Sequence, residues 1–187
     1  MISDVAVSRA IASRFFEKFD ASLELDAAIV GAGPAGLVAG RYLAEAGHRV
    51  ALFESKLSTG GGIWGGGMMF NEIVVQDDAL EILDDFGIAH REYGDGHHTA
   101  DSVQTAAGLT YHASRHGLTI LNGVRVEDVL FQADRVGGVV ALWTAVTSAG
   151  LHVDPLSFQA KVVIDATGHD ADVTRTTVRK AGIELRT

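Results

Sequence analysis

DAAIVGAGPAGLVAGRYLAEAGHRVALFE, residues 26–54, reads as a single βαβ unit. Residues 26–31 are almost wholly apolar, the pattern of a strand buried on both faces of a parallel sheet. Residues 34–47 carry a helical period and stop at Gly47, a suitable C-terminal cap. A second apolar strand, 49–54, completes a unit of about 30 residues. Gly31, Gly33 and Gly36 stand in the G-x-G-x-x-G pattern between strand and helix. Gly31 turns the chain off the strand, Gly33 lets backbone approach a pyrophosphate, and Gly36 lets the helix pack on the strand. The free N–H groups and partial positive charge of the helix N-terminus then face the phosphates. Glu54 closes the second strand roughly 20 residues on, where a carboxylate accepts hydrogen bonds from the adenosine ribose. Such a carboxylate favours NAD or FAD and repels the 2′-phosphate of NADP. The alternative is a glycine turn in an unrelated α/β fold.

Outward from this unit, residues 7–20 form an amphipathic helix. Arg9, Arg14, Glu17, Lys18 and Asp20 fall where a secretory signal would be apolar, so it is not one. A glycine-dense loop, STGGGIWGGGMMF, follows the βαβ unit. Helices are expected over 77–87 and 101–116. Strands are expected from 118 to about 146, with a turn at Asp134–Gly138, and a last strand over 158–168. There is no internal repeat and no low-complexity linker. The expected architecture is α/β, one dinucleotide-binding domain over residues 1–187.

Composition narrows the function. With 47% hydrophobic and 21% charged residues the 187-residue chain is globular. Its net charge of −9 argues against a nucleic-acid partner, which needs a basic face. No apolar run reaches the roughly 20 residues that span a bilayer, so neither membrane nor nucleic acid is expected, and a cytoplasmic location is. Cysteine is absent, which rules out disulfides, thiolate metal sites and any cysteine among these residues as nucleophile or sulfur source. A metal would need His, Asp, Glu or backbone oxygen, a donor set suited to iron, manganese or zinc.

Two loops concentrate candidate ligands. GLHVDP (150–155) holds His152 and Asp154, and DATGHD (165–170) holds His169. Their local spacing suits one metal site or two ordinary turns equally. His112 and His116 stand at i, i+4 on an expected helix, but with no carboxylate partner they read as a solvated face. His97 and His98 are expected in a turn and bind nothing.

Taken together, VGAGPAG, GGGIWGGGMMFNEIVVQ, HREYGDG, ADSV, VRVEDVL, AGLHVDPL and VVIDATGHDA make the chain resemble the thiamine thiazole synthase family of eukaryotic and archaeal type. The resemblance covers about Val7 to Val173. It implies a Rossmann-like FAD/NAD-binding, flavoprotein-like fold with a β-meander insertion. It also implies an enzyme that consumes NAD as a substrate, condenses its ADP-ribose with glycine, adds sulfur and closes an adenylated thiazole carboxylate. Fe(II) would be held by Asp154 and His169, in rings of subunits, commonly octamers, with active sites shared between neighbours. Residue by residue, Ala35 lies in the dinucleotide turn, Glu54 and Ser55 sit at the ribose, Gly62 approaches the nucleotide and Val126 meets the adenine side through backbone. His152, Val153 and Asp154 belong to the same site. Members that sacrifice their own sulfur carry a cysteine where this chain has His152, so the resemblance is to the branch that takes free sulfide. His152 itself could be a third ligand, an acid–base group or a space-filler. The family is expected to continue past the point where this chain stops, with a GGPRMGP-like segment whose arginine takes the glycine carboxylate. The chain is thus expected to be a shortened product or fragment, or to have that part of the site supplied by something else.

Two other classes suit the βαβ unit: an FAD-dependent oxidoreductase and a non-enzymatic nucleotide-binding module. A ribose bisphosphate isomerase ranks below both. The glycine-dense loop together with HVDP favours the thiazole synthase.

Overall fold

The strand expected at 26–31 runs Glu24–Val30 (β1) in a computed structural model that describes residues 3–182. Around it come α1 (Asp4–Asp20), α2 (Pro34–Glu45) and β2 (Val50–Glu54), then β3 (Glu72–Gln76), α3 (Leu80–Asp85) and β4 (Arg91–Gly94). There follow β5 (His97–Asp101), α4 (Ser102–Arg115), β6 (Thr119–Asn122), β7 (Val124–Gln132) and β8 (Arg135–Trp143). The order ends with α5 (Thr144–Ser148), β9 (Leu156–Asp165) and α6 (Asp172–Ala181).

Six strands form the main sheet in the order β6-β2-β1-β9-β8-β7. The first four are mutually parallel, and β9, β8 and β7 continue the sheet as an antiparallel meander. The α/β Rossmann-like architecture with its meander is therefore present. Alternation along the central strands divides the core. Ala28, Val30, Ala51 and Phe53 pack with Val139 and Phe158 on one face. Ala27, Ile29, Val50 and Leu52 pack with Leu37, Phe86 and Leu109 on the other. Both faces are covered, which is why these strands read as continuous apolar runs.

On the first face, Phe19 of α1 meets Phe158 edge-on at 5.6 Å, and Phe15 meets Trp143 at 5.7 Å. No residue of α1 is buried, and Val5, Ile11 and Phe16 stay about two-thirds exposed. No helix among the described residues is long and apolar enough to cross a membrane.

Four sequence expectations need correction. A three-stranded antiparallel sheet, β3-β5-β4, occupies a region that periodicity left without strands. Its strands are short and half-exposed, and β4 and β5 are mostly polar, but Asp95 and Gly96 turn the chain with φ of 53° and 71°, the Asp-Gly signal of a tight hairpin. His97 and His98 accordingly lie on β5 and not in a turn, and His98 Nε2 is 2.7 Å from Asp77 Oδ1. The β7–β8 turn falls at Ala133–Asp134, while Gly138 is inside β8, where a Cβ would lie 2.1 Å from the Phe158 carbonyl oxygen. The strands stop at Trp143. Thr144 donates its hydroxyl to the Ser55 carbonyl at 2.6 Å and starts α5.

At the edge of the sheet where β1 begins, Asp26 ties three strands. Lys161 of β9 lies 2.7 Å from its Oδ1, and the Arg49 N–H donates to Oδ2 at 2.8 Å. The Lys161 hydrogen bond, then that from Arg49, lowers the Asp26 pKa from 3.8 to about 2 against a smaller cost of burial. A depressed carboxyl contributes its stabilisation fully above its ordinary value and loses it as pH falls through the folded value. An NMR titration of the Asp26 carboxyl carbon should therefore show a midpoint near 2. Lys161→Ala should move that midpoint up, and a wild-type midpoint near 3.8 would contradict the assignment.

Candidate functional site

Beyond the C-terminal ends of the parallel strands lies a cleft of about 1050 Å³, at the upper end of the roughly 300–1,000 Å³ typical of small-molecule sites. Its floor is the glycine turn. Gly31 has φ of 101°, and a Cβ there would sit 2.4 Å from the Ala166 carbonyl oxygen. A Cβ on Gly36 would sit 2.0 Å from the Gly31 carbonyl oxygen. Gly33 caps α2 without any side-chain hydrogen bond and has open space where a Cβ would be. The first N–H groups of α2 are thus left to whatever enters the cleft, which Gly31, Gly33 and Ala35 line. Gly36 does not line it; its role is the close packing behind the turn.

Glu54 is buried at the end of β2 and holds the turn in place. Its Oε2 accepts the Ala32 N–H at 2.8 Å, and its Oε1 accepts the Lys56 N–H at 2.8 Å and the Ser55 hydroxyl at 3.2 Å. Three bonds take up three of a carboxylate's roughly four acceptor positions and leave about one for a ligand. Bracing is a role that the fingerprint alone did not disclose. The glycine-dense loop docks on the same turn. The Gly60 N–H donates to the Ala32 carbonyl at 2.7 Å, and a Cβ on Gly61 would lie 3.1 Å from the Gly33 Cα. Gly62 and Ser55 line the cleft, as does Val126 on β7. Lys56, Arg125, Arg175 and Arg179 line it beside the carboxylates of Glu127, Asp128, Asp170 and Asp172, so its walls carry both signs of charge.

The third wall is the connection from β9 to α6. Asp165, the last residue of β9, takes the Thr167 N–H at 3.1 Å and hydroxyl at 2.6 Å on Oδ1. On Oδ2 it takes the Thr174 N–H at 2.8 Å and hydroxyl at 2.7 Å. Thr167 Oγ1 in turn accepts the Asp172 N–H at 2.9 Å. Burial works to raise the Asp165 pKa, but the hydrogen bonds from Thr167 and Thr174 outweigh it and hold the carboxyl below its ordinary value. Sequence reasoning gave Asp165 no role. Its only signal was a carboxylate ending an apolar strand, followed two residues on by threonine.

The metal-ligand candidates separate. His169 is exposed in the loop between β9 and α6, flanked by the cleft residues Gly168 and Asp170. His152, Val153 and Asp154 are exposed just ahead of β9, at its opposite end, and none lines the cleft. The ten residues of β9 hold the two loops roughly 30 Å apart, at about 3.3 Å per residue. Within one chain Asp154 and His169 are two places, and an ion shared by them needs two chains. Among the described residues no group of three or more His, Asp or Glu is arranged to hold a metal. His116, expected to lack a carboxylate partner, has one: its Nδ1 is 2.7 Å from Glu45 Oε1.

The Thi4 family matches residues 8–187. The chain is 52% identical to the thiamine thiazole synthase of Methanothermobacter thermautotrophicus over 186 residues, all of this chain and 72% of that protein. Its structure superposes on the crystal structure of Thermovibrio ammonificans THI4 with a TM-score of 0.95 at 52% identity, covering 98% of this chain and 73% of that one. The chain belongs to the Thi4 family. As a member it is an enzyme of thiamine thiazole biosynthesis. A myxobacterial FAD-dependent halogenase, CndH, is similar at TM-score 0.62 and 19% identity, over 82% of this chain and 39% of that one, which shows the fold alone.

In this Thi4 chain, Glu54→Ala would leave the Ala32 and Lys56 N–H groups without their acceptor. Stability in urea should fall by about 1–3 kcal/mol, the cost of unpaired buried donors. An unchanged unfolding midpoint would contradict the bracing role.

Proposed function

We propose that the chain makes an adenylated thiazole from NAD, glycine and sulfide, with NAD consumed as a substrate and Fe(II) as the metal. The observation that carries this reading is the cleft: a glycine turn with uncapped helix N–H groups and a carboxylate at the end of β2, in a Thi4 chain. Such a cleft fits a dinucleotide. The pyrophosphate would lie on the α2 N-terminus at Gly31, Gly33 and Ala35. The ribose would meet Glu54 and Ser55, with Gly62 closing over the nucleotide and Val126 at the adenine.

Asp154 and His169 supply one oxygen and one nitrogen donor, which fits Fe(II) without thiolate. Since they lie at opposite ends of β9, the fit is to a site between two chains, with His152 and Val153 brought to a neighbour's cleft alongside Asp154. Iron, when bound, would supply a Lewis acid with open coordination positions. The exposed Val5, Ile11 and Phe16 of α1 support a homo-oligomer, since apolar surface of this kind marks contacts between chains. An octamer is the assembly proposed, and residues 1–187 are read as a single dinucleotide-binding unit.

None of the 187 residues is cysteine, so none can surrender sulfur to the product. His152 occupies the position of the sacrificial thiol and leaves the sulfur to come from solution. With NAD, glycine, Fe(II) and sulfide under anaerobic conditions, more than one adenylated thiazole should form per chain, read by mass spectrometry of the released products. Thiazole formed without added sulfide would contradict the external donor. A flavin, and no adenosine-linked thiazole, released on denaturation would favour the oxidoreductase reading.

A further inference from the structure

We propose that Asp165 is a positioning residue for His169, acting as a clamp that closes the loop between β9 and α6. The inference rests on the reading of His169 as a metal ligand. The loop is short and its backbone is unusual: Gly168 has φ of 87°, and Ala171 is left-handed with φ of 46° and ψ of 48°. A left-handed alanine is unfavourable by itself and persists where neighbouring structure imposes it.

The imposing structure is Asp165. One oxygen holds Thr167 at the start of the loop, and the other holds Thr174 in the first turn of α6. The Thr174 N–H belongs to that first turn, where helix N–H groups lack intrahelical partners, so Asp165 caps α6 from the previous strand. Thr167 caps the same turn through Asp172. Ala171, the residue before the helix, makes no side-chain cap of its own. The far side of α6 is fixed as well, by the ion pair of Lys180 with Asp128 on β7. His169 makes no side-chain hydrogen bond among the described residues, so its place depends on the ends of its loop. Groups hydrogen-bonded directly to a metal ligand typically contribute about 10- to 100-fold in metal affinity; Asp165 acts one step further out, through both ends of the His169 loop.

The Thr174 side chain does not line the cleft, so Thr174→Val loosens the clamp without changing a lining side chain. Anaerobic Fe(II) titration by calorimetry, on the assembled protein, should show affinity reduced by about 10-fold or more. Thr174→Ser, which keeps the hydroxyl, should restore it, and NAD affinity should stay within about twofold in both. Asp165→Asn, which sets an amide against four donors, should weaken Fe(II) at least as much. It should also speed hydrogen exchange at the Thr174 amide. Wild-type Fe(II) affinity in Thr174→Val and Asp165→Asn, with binding lost in His169→Ala, would overturn the clamp and leave the metal reading standing. Unchanged Fe(II) binding in His169→Ala would instead remove the metal reading, and the clamp's purpose with it. Equal losses of Fe(II) and NAD affinity in Thr174→Val would make the contact a general support of the fold, which also overturns the proposal.

Discussion

Between the glycine turn and the end of β9 there is no space for a side chain, and the site is built on that contact. Gly31 faces the Ala166 carbonyl with room only for hydrogen, and Gly36 packs on Gly31 in the same way. Parallel pairing of β1 with β9, ending at Val30 opposite Asp165, sets this approach. It brings two segments far apart in sequence, the dinucleotide turn and the DATGHD loop, to the same end of the sheet. A methyl group on Gly36 would have to displace the Gly31 carbonyl, and with it the floor of the cleft.

Two carboxylates then fix what the contact brings together. Glu54 draws the turn toward β2 through the Ala32 N–H, and Asp165 draws α6 toward β9 through Thr167 and Thr174. Each is well supplied with donors, so burial is compensated: Glu54 fixes the glycine turn and Asp165 fixes the loop that carries His169. Rigid walls suit the proposed chemistry, in which a nucleotide must remain bound while one end of it is opened and rebuilt.

The fold was legible where its physics is periodic. The strand, glycine turn and helix of residues 26–54 were readable because apolar runs and glycine spacing each have a single structural use there. The β3-β5-β4 sheet was not, since its strands are short and half-exposed and two of them are mostly polar, although Asp95–Gly96 carried a hairpin signal. Glu54 was recognisable as a nucleotide-site carboxylate, but its hold on the Ala32 N–H depends on packing that sequence does not display. Asp165 was invisible for the same reason. The separation of Asp154 from His169 was hidden by their nearness in sequence, yet the strand expected between them is itself a spacer. An extended strand of ten residues keeps its ends apart as surely as a long loop could bring them together.

That spacer makes the proposed metal site a matter of two chains, with Asp154 from one and His169 from a neighbour. The direct measurement is iron content after co-assembly of Asp154→Ala chains with His169→Ala chains, compared with each variant alone. Each variant alone should hold no stoichiometric iron. The mixture should recover a substantial fraction, because an intact Asp154 from one chain meets an intact His169 from the other. A mixture as empty as its parents, or iron retained in full by either variant alone, would contradict a site shared between chains.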